Sequence, residues 1–254
     1  MTENIMNWNE LTEEEKMKAK EILNSLKLNN SSESSELNNK EKSPSDFFEK
    51  NSYIVIKNFI DKNMCGLLYH HVLSSVKRLN YIDELYGSGN YDKGIYGTFD
   101  DKQADGDYSK YGDPIFDALL ELSTNQISFL TGKDLIPTYS YHRLYTTDTE
   151  LKKHIDRPSC EISTTLCLGY DIKNLKTDYS WPMFVKTKDN TEIPLHLETG
   201  DMIIYKGCEI EHWREPFKGN NHAQVFLHYN QKNGKFNIEN DGRPFLGLPS
   251  SFKI

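Results

Sequence analysis

The sequence has no run of 18 apolar residues, so no segment reads as a membrane-crossing helix. Its first residues, MTENIMNWNELTEEEK, hold neither a basic stretch nor an apolar one, which argues against a secretory signal. Cysteine is scarce. Cys65, Cys160, Cys167 and Cys208 are scattered, with no C-x-x-C spacing. That excludes a dense disulfide framework and leads us to expect free thiols in a reducing compartment. Basic clusters are also missing: no cationic run is longer than a pair such as Lys152-Lys153, and the formal net charge is −8. Broad neutralisation of duplex phosphates is therefore not expected, and nucleic acid is an unlikely partner. No internal repeat is visible.

The charge that is present sits in two places. Residues 1–46 carry ten acids against six lysines, a net of −4, and residues 81–112 carry seven acids against three lysines, again −4. The rest of the chain is balanced. Within the first segment, Leu11 to Leu28 has helical spacing, with Met17, Ile22, Leu23 and Leu26 as its apolar stripe. Thr12 and Glu15 fit a capping box at its start. The polar stretch 29–46, NNSSESSELNNKEKSPSD, reads as a flexible linker. Residues 1–46 are thus expected to form an amphipathic helix and tether, and 47–254 a catalytic or binding domain.

Beyond the tether, SYIVIKNFI (52–60) predicts a strand of β-branched and aromatic residues. Residues 61–79 have helical spacing, and 114–132 predict a second helix closed by Gly132. Between them, 81–112 holds six glycines and six tyrosines without a clean period, so we expect a long loop. After residue 135 short strand-like runs follow one another, as in an all-β sandwich or jelly roll. The fold class is α+β, mainly β, with helices in front.

The sharpest local feature is His154-Ile155-Asp156. On a strand, residues i and i+2 share a face, so an imidazole and a carboxylate are presented together. A third ligand from another strand would give two histidines and one carboxylate, leaving open metal positions as in non-haem Fe(II) oxygenases. His196, His212, His222 and His228 all lie in the second half.

In order, YHRLYTTDTELKKHID, ISTTLCLGYD, LETGDMIIYKGCEIEHWREP and HAQVFLHY resemble the prolyl 4-hydroxylase-like branch of the 2-oxoglutarate/Fe(II) oxygenases. YIVIKNFIDKNMCGLL resembles the opening strand and helix of those domains, and the likeness spans roughly residues 50–232. It implies a double-stranded β-helix (jelly-roll) core with supporting N-terminal helices. It implies a metal triad of His154, Asp156 and His212, with Fe(II), 2-oxoglutarate and O₂ as cofactors and ascorbate as reductant. Succinate and CO₂ would be released as a substrate carbon is hydroxylated. The family commonly places an Arg or Lys nine or ten residues after the distal histidine to hold the far carboxylate of 2-oxoglutarate. Here those positions are Asn221 and His222. Arg143, on one strand face with Tyr141 and Tyr145, is the other candidate, and Tyr145 matches a family tyrosine beside the co-substrate. Arg157 is expected in a structural ion pair, and Arg214 and Lys218 as solvated charges in a turn. In segment 81–112, Tyr86, Tyr91, Tyr96, Tyr108 and Tyr111 are candidate contacts of a lid over substrate.

The expected function is hydroxylation of a prolyl or other side chain in a peptide or protein, in the cytoplasm, an infected cell included. Two alternatives stay open. One is the same chemistry on a small metabolite or nucleobase. The other is a catalytically inactive jelly-roll binding protein, which the missing Arg/Lys favours.

Overall fold

The computed structural model describes residues 43–254, apart from Thr177. The expected helix 11–28 and most of the expected linker lie outside the described residues. Its last residues do not: Pro44–Asn51 form a short helix, α1. Strand β1 (Tyr53–Ile56) follows, four residues within the nine expected.

Helix α2 (Lys62–Tyr86) starts where the sequence predicts, because the Asp61 side chain accepts hydrogen bonds from the amides of Asn63 and Met64. It runs two turns past the expected end, to Gly87. The segment 81–112 is therefore not one long loop. It holds the end of α2, one turn of helix α3 (Lys93–Tyr96) and strand β2 (Tyr108–Tyr111). β2 is an edge strand ordered by pairing with β3, with Tyr108 opposite Leu144 and Tyr111 opposite Tyr141. No residue pattern inside 81–112 announces that pairing. Helix α4 (Pro114–Thr131) matches the expected 114–132. Asp113 caps it, Pro114 opens it, and Gly132 closes it at φ 68°, a left-handed conformation that glycine adopts without penalty.

The second half is antiparallel sheet throughout. In order it holds β3 (Leu135–Thr146), β4 (Leu151–His154), β5 (Ile162–Asp171), β6 (Met183–Lys186) and β7 (Glu192–Leu195), then β8 (Met202–Tyr205), β9 (Glu211–Arg214) and β10 (Asn221–Gln231). Six strands form one sheet in the order β1-β8-β5-β10-β3-β2, and four form another in the order β4-β9-β6-β7. This is the double-stranded β-helix. Strand β10 explains the packing. Ala223, Val225, Leu227 and Tyr229 face one way, where the Tyr229 hydroxyl donates to Leu120 of α4 at 3.0 Å. Their neighbours His222, Gln224, Phe226 and His228 face the inside of the β-helix. Both faces are covered, so the strand is buried along its length. Cys167, Met183, Val185, Ile203 and Ile210 join the two sheets in an apolar core that closes one side of the interior. All four cysteines are free thiols. No helix among the described residues is long and apolar enough to cross a membrane.

Candidate metal centre and co-substrate cavity

His154 closes β4 and His212 lies directly opposite it on β9. Asp156, two residues after His154, completes a cluster whose ligand atoms all lie within 4.8 Å of one another. Asp156 Oδ1 is 3.7 Å from His154 Nε2 and 3.6 Å from His212 Nε2. Each imidazole is oriented from behind. Nδ1 of His154 donates to the Lys152 carbonyl at 2.7 Å, and Nδ1 of His212 donates to the Ile210 carbonyl at 3.0 Å. With Nδ1 protonated, each Nε2 presents its lone pair to the shared space. Burial lowers the basicity of His212, against the pull of the Asp156 charge, and so favours the neutral ligand form.

The carboxylate is held as firmly. Its Oδ2 accepts from Ser163 Oγ at 2.6 Å, and that oxygen lies 3.0 Å from His228 Nδ1. Burial lowers His228 to about 4, so its ring is neutral and can donate through Nδ1 while Ser163 donates to Asp156. The Asp156 amide donates to the Gly207 carbonyl at 2.9 Å. A methyl group at Gly207 would lie 2.4 Å from Ser163 Oγ and 2.5 Å from Asp156 Oδ2. Gly207→Ala is therefore expected to displace the Asp156–Ser163 pair and lower iron affinity by roughly 10–100-fold. Iron titration of the variant checks this, and unchanged affinity would refute it.

The triad opens into a cavity of about 340 Å³ lined also by Tyr139, Tyr141, Arg143, Thr165, Arg214 and Phe226. Arg143 is buried on the wall, as expected from its strand face, but its charge is already met. Its Nη2 pairs with Asp101 Oδ2, and its Nη1 donates to the Tyr145 hydroxyl at 3.0 Å. Tyr145 is fully buried behind it.

Arg214 corrects the expectation of a solvated turn residue. It lies on β9 two residues from His212, is 2% exposed and faces the same interior. Nη1 donates to the Trp181 carbonyl at 2.8 Å and Nη2 to Gln224 Oε1 at 3.0 Å. No carboxylate among the described residues meets it. Its Nε and the Nε2 of Gln224 have no hydrogen-bond partner. Burial lowers its pKa, the mark of a desolvated cation without a counter-charge. A buried unpaired guanidinium is costly, and a bound carboxylate would offset that cost. The period-2 rule already puts Arg214 on the face of His212; the expected turn hid it.

His222 is the other correction. It lines a separate cavity with Tyr170, Trp181 and Phe217 and is not on the wall of the cavity at the metal centre. Burial, followed by the Arg214 charge, drives its pKa well below the usual value, so it cannot supply the positive charge. The lid tyrosines are displaced too. Tyr108 is 1% exposed and donates to the Tyr96 carbonyl, while Tyr91 packs edge-on against Tyr96. None of the three lines the cavity. From this region it is Asp101 and Gln103 that do. Arg157 forms the expected ion pair, donating through two nitrogens to Asp241 at 2.9 and 2.6 Å. Lys218 is exposed and pairs with Asp148.

The donor set of two imidazoles and one carboxylate suits Fe(II), and Arg214, without a carboxylate partner among the described residues, suits an anionic co-substrate in the same cavity. No family model and no curated protein matches the sequence. Solved structures do match in fold. A prolyl-4-hydroxylase from Pseudomonas putida aligns at a TM-score of 0.53 and 13% identity, covering 74% of this chain and 96% of that one. EctD from S. alaskensis aligns at 0.54 and 15%, covering 85% and 87%. HygX from Streptomyces hygroscopicus, with nickel and 2-oxoglutarate bound, aligns at 0.52 and 9%, covering 74% and 85%. The chain has the double-stranded β-helix fold of the 2-oxoglutarate/Fe(II) oxygenases, with a His-Asp-His group that could hold iron at its centre.

Proposed function

We propose that this chain is an Fe(II)- and 2-oxoglutarate-dependent dioxygenase that hydroxylates carbon. The observation that carries the reading is the sharing of one cavity by the His154/Asp156/His212 cluster and the unpaired buried Arg214. Bound there, iron would couple the conversion of 2-oxoglutarate and O₂ into succinate and CO₂ to hydroxylation of a substrate C–H. The protein's residues bind, orient and exclude water. His154 and His212 hold the metal through Nε2. Ser163 and His228 keep Asp156 in its rotamer. Arg214 offers a guanidinium fork to the distal carboxylate of 2-oxoglutarate, and Thr165 lines the same cavity. Leu151, Met183 and Phe226 add apolar surface to the cavity wall.

A prolyl or other side chain of a peptide remains our first reading of the acceptor. The cavity of about 340 Å³, with Asp101 and Gln103 across its wall, has room for a single side chain beside the co-substrate. The same enclosure favours a small molecule as the second reading. Ascorbate would serve as the reductant that keeps iron ferrous.

The test is succinate formation from 2-oxoglutarate without added substrate, with Fe(II) and with iron omitted. We expect slow, iron-dependent turnover that His154→Ala abolishes. Turnover that survives in the variant, or a wild-type protein that binds neither iron nor 2-oxoglutarate, would overturn the assignment.

A further inference from the structure

The oxygenase chemistry makes no use of a second cavity, of about 280 Å³, on whose wall His222 lies. Its lining is largely aromatic and comes from separate stretches of chain. Tyr170 on β5 is paired opposite His222 on β10, and the two rings stack at 5.2 Å. Phe217, between β9 and β10, meets the His222 ring edge-on at 5.7 Å. Trp181 and Tyr179, between β5 and β6, pack against Phe217 at 4.9 and 6.2 Å. Trp181, Phe217 and His222 are buried, whereas Tyr170 and Tyr179 stand nearer solvent.

One polar atom of this lining is left over. His222 is 3% exposed, and its Nδ1 has no hydrogen-bond partner. Its Nε2 faces Cys167 Sγ at 3.9 Å. Burial keeps the ring neutral, so with Nε2–H directed at the sulfur the lone pair lies on Nδ1. A buried acceptor without a donor is costly, and an N–H brought by a ligand would offset that cost.

The charge at the rim has a definite sign. Asp178 and Glu198 are exposed on the same cavity, and neither forms an ion pair among the described residues. Lys57 also lines it, but its Nζ is held by Asp201 at 2.7 Å. The opposing charge is Arg214, whose guanidinium stands 4.6 Å from the centre of the Trp181 ring. Two unpaired carboxylates against that one guanidinium leave the neighbourhood negative. Aromatic faces beside carboxylates favour a cation. Carboxylate and imidazole acceptors favour one that carries several N–H donors, and a planar head fits between rings.

We propose that this second cavity binds a guanidinium, held by Asp178 and Glu198 at the rim, by the Nδ1 lone pair of His222 and by the surrounding rings. The site is distinct from the metal centre and needs neither iron nor 2-oxoglutarate. Two sources share the chemistry: a free arginine-like small molecule, and an arginine side chain within a peptide.

The experiment is calorimetric titration of the full chain, without added metal, with N-acetyl-arginine amide and with N-acetyl-citrulline amide. Citrulline keeps the shape and lacks the charge. The arginine probe should bind at least about tenfold more tightly. Asp178→Asn combined with Glu198→Gln should weaken its binding by about tenfold, with the melting temperature unchanged because both side chains are exposed. His222→Phe keeps a ring and removes Nδ1, and it should also weaken binding; should that chain fail to fold, the rim variant still decides. Equal binding of the two probes, or arginine binding that the rim variant leaves unaltered, would overturn the proposal. Free arginine titrated beside the blocked amide separates the sources. Its own carboxylate meets the rim acids, so tighter binding of the blocked amide supports a residue within a peptide, and tighter binding of free arginine supports a small molecule.

Discussion

Asp156→Ala is expected to abolish iron-dependent 2-oxoglutarate turnover and to cut iron affinity by at least about a hundredfold. Asp156 is the only anionic member of the ligand cluster, and its Oδ1 lies within 3.7 Å of both histidine Nε2 atoms. Without it, two neutral imidazoles face a dication alone. The loss should not come from unfolding. Asp156 sits at the cavity wall, and the groups that orient His154 and His212 are the backbone carbonyls of Lys152 and Ile210, which the substitution leaves in place. The metal-free melting temperature should therefore stay within a few degrees of the wild type. Ser163→Ala should act more mildly, by roughly tenfold, since it removes an orienting partner and not a ligand. Iron titration alongside succinate measurement checks both. An Asp156→Ala chain that binds iron stoichiometrically and turns over would refute the centre.

Arg214→Met is expected to raise the dissociation constant for 2-oxoglutarate by on the order of a hundredfold or more. The reasoning is electrostatic. Arg214 is buried, makes two hydrogen bonds to neutral oxygens, and has no carboxylate partner among the described residues. Removing one partner from a buried ion pair costs about 3–5 kcal/mol, which in binding is roughly two to three and a half orders of magnitude. The apo protein should be no less stable, and even more so, because methionine spares it a desolvated charge. Arg214→Lys should recover part of the affinity but not the two-pronged geometry. Arg143→Gln should change 2-oxoglutarate binding far less, since Asp101 already neutralises Arg143. Calorimetric titration of 2-oxoglutarate into the Ni(II)-loaded variants separates the cases. Equal losses from Arg143→Gln and Arg214→Met would show that both arginines hold the co-substrate.

Much of this site is legible before any coordinates are known. His154 and Asp156 share a face by strand period, and the order of the surrounding motifs resembles one oxygenase branch closely enough to single out His212 among four histidines. The end of α4 follows from Gly132, which acts on the backbone within one turn of its own position. Where structure and sequence pattern differ, the deciding contact lies far along the chain. His222 stands at the family spacing, yet it packs against Trp181, 41 residues earlier, and lines a different cavity. Arg214 is expected as a solvated charge in a turn after the distal histidine, and only pairing of β9 with β4 and β6 encloses it. The tyrosines of 81–112 looked like a lid from composition, whereas pairing of β2 with β3 turned Tyr108 into core.

The sequence by itself placed His154 and Asp156 on one strand face, the Gly132 helix stop and the mainly-β class, because each depends on residue chemistry at short, regular spacing, whereas His212 follows from the family resemblance. Tertiary structure alone decided which cation is free to meet an anion. Arg143 and Arg214 are the same residue type on strands of the same β-helix, both buried. They differ only in that Asp101, 42 residues before Arg143, folds back onto one of them and not the other. That difference is set by where a carboxylate ends up in space, and no local pattern encodes it.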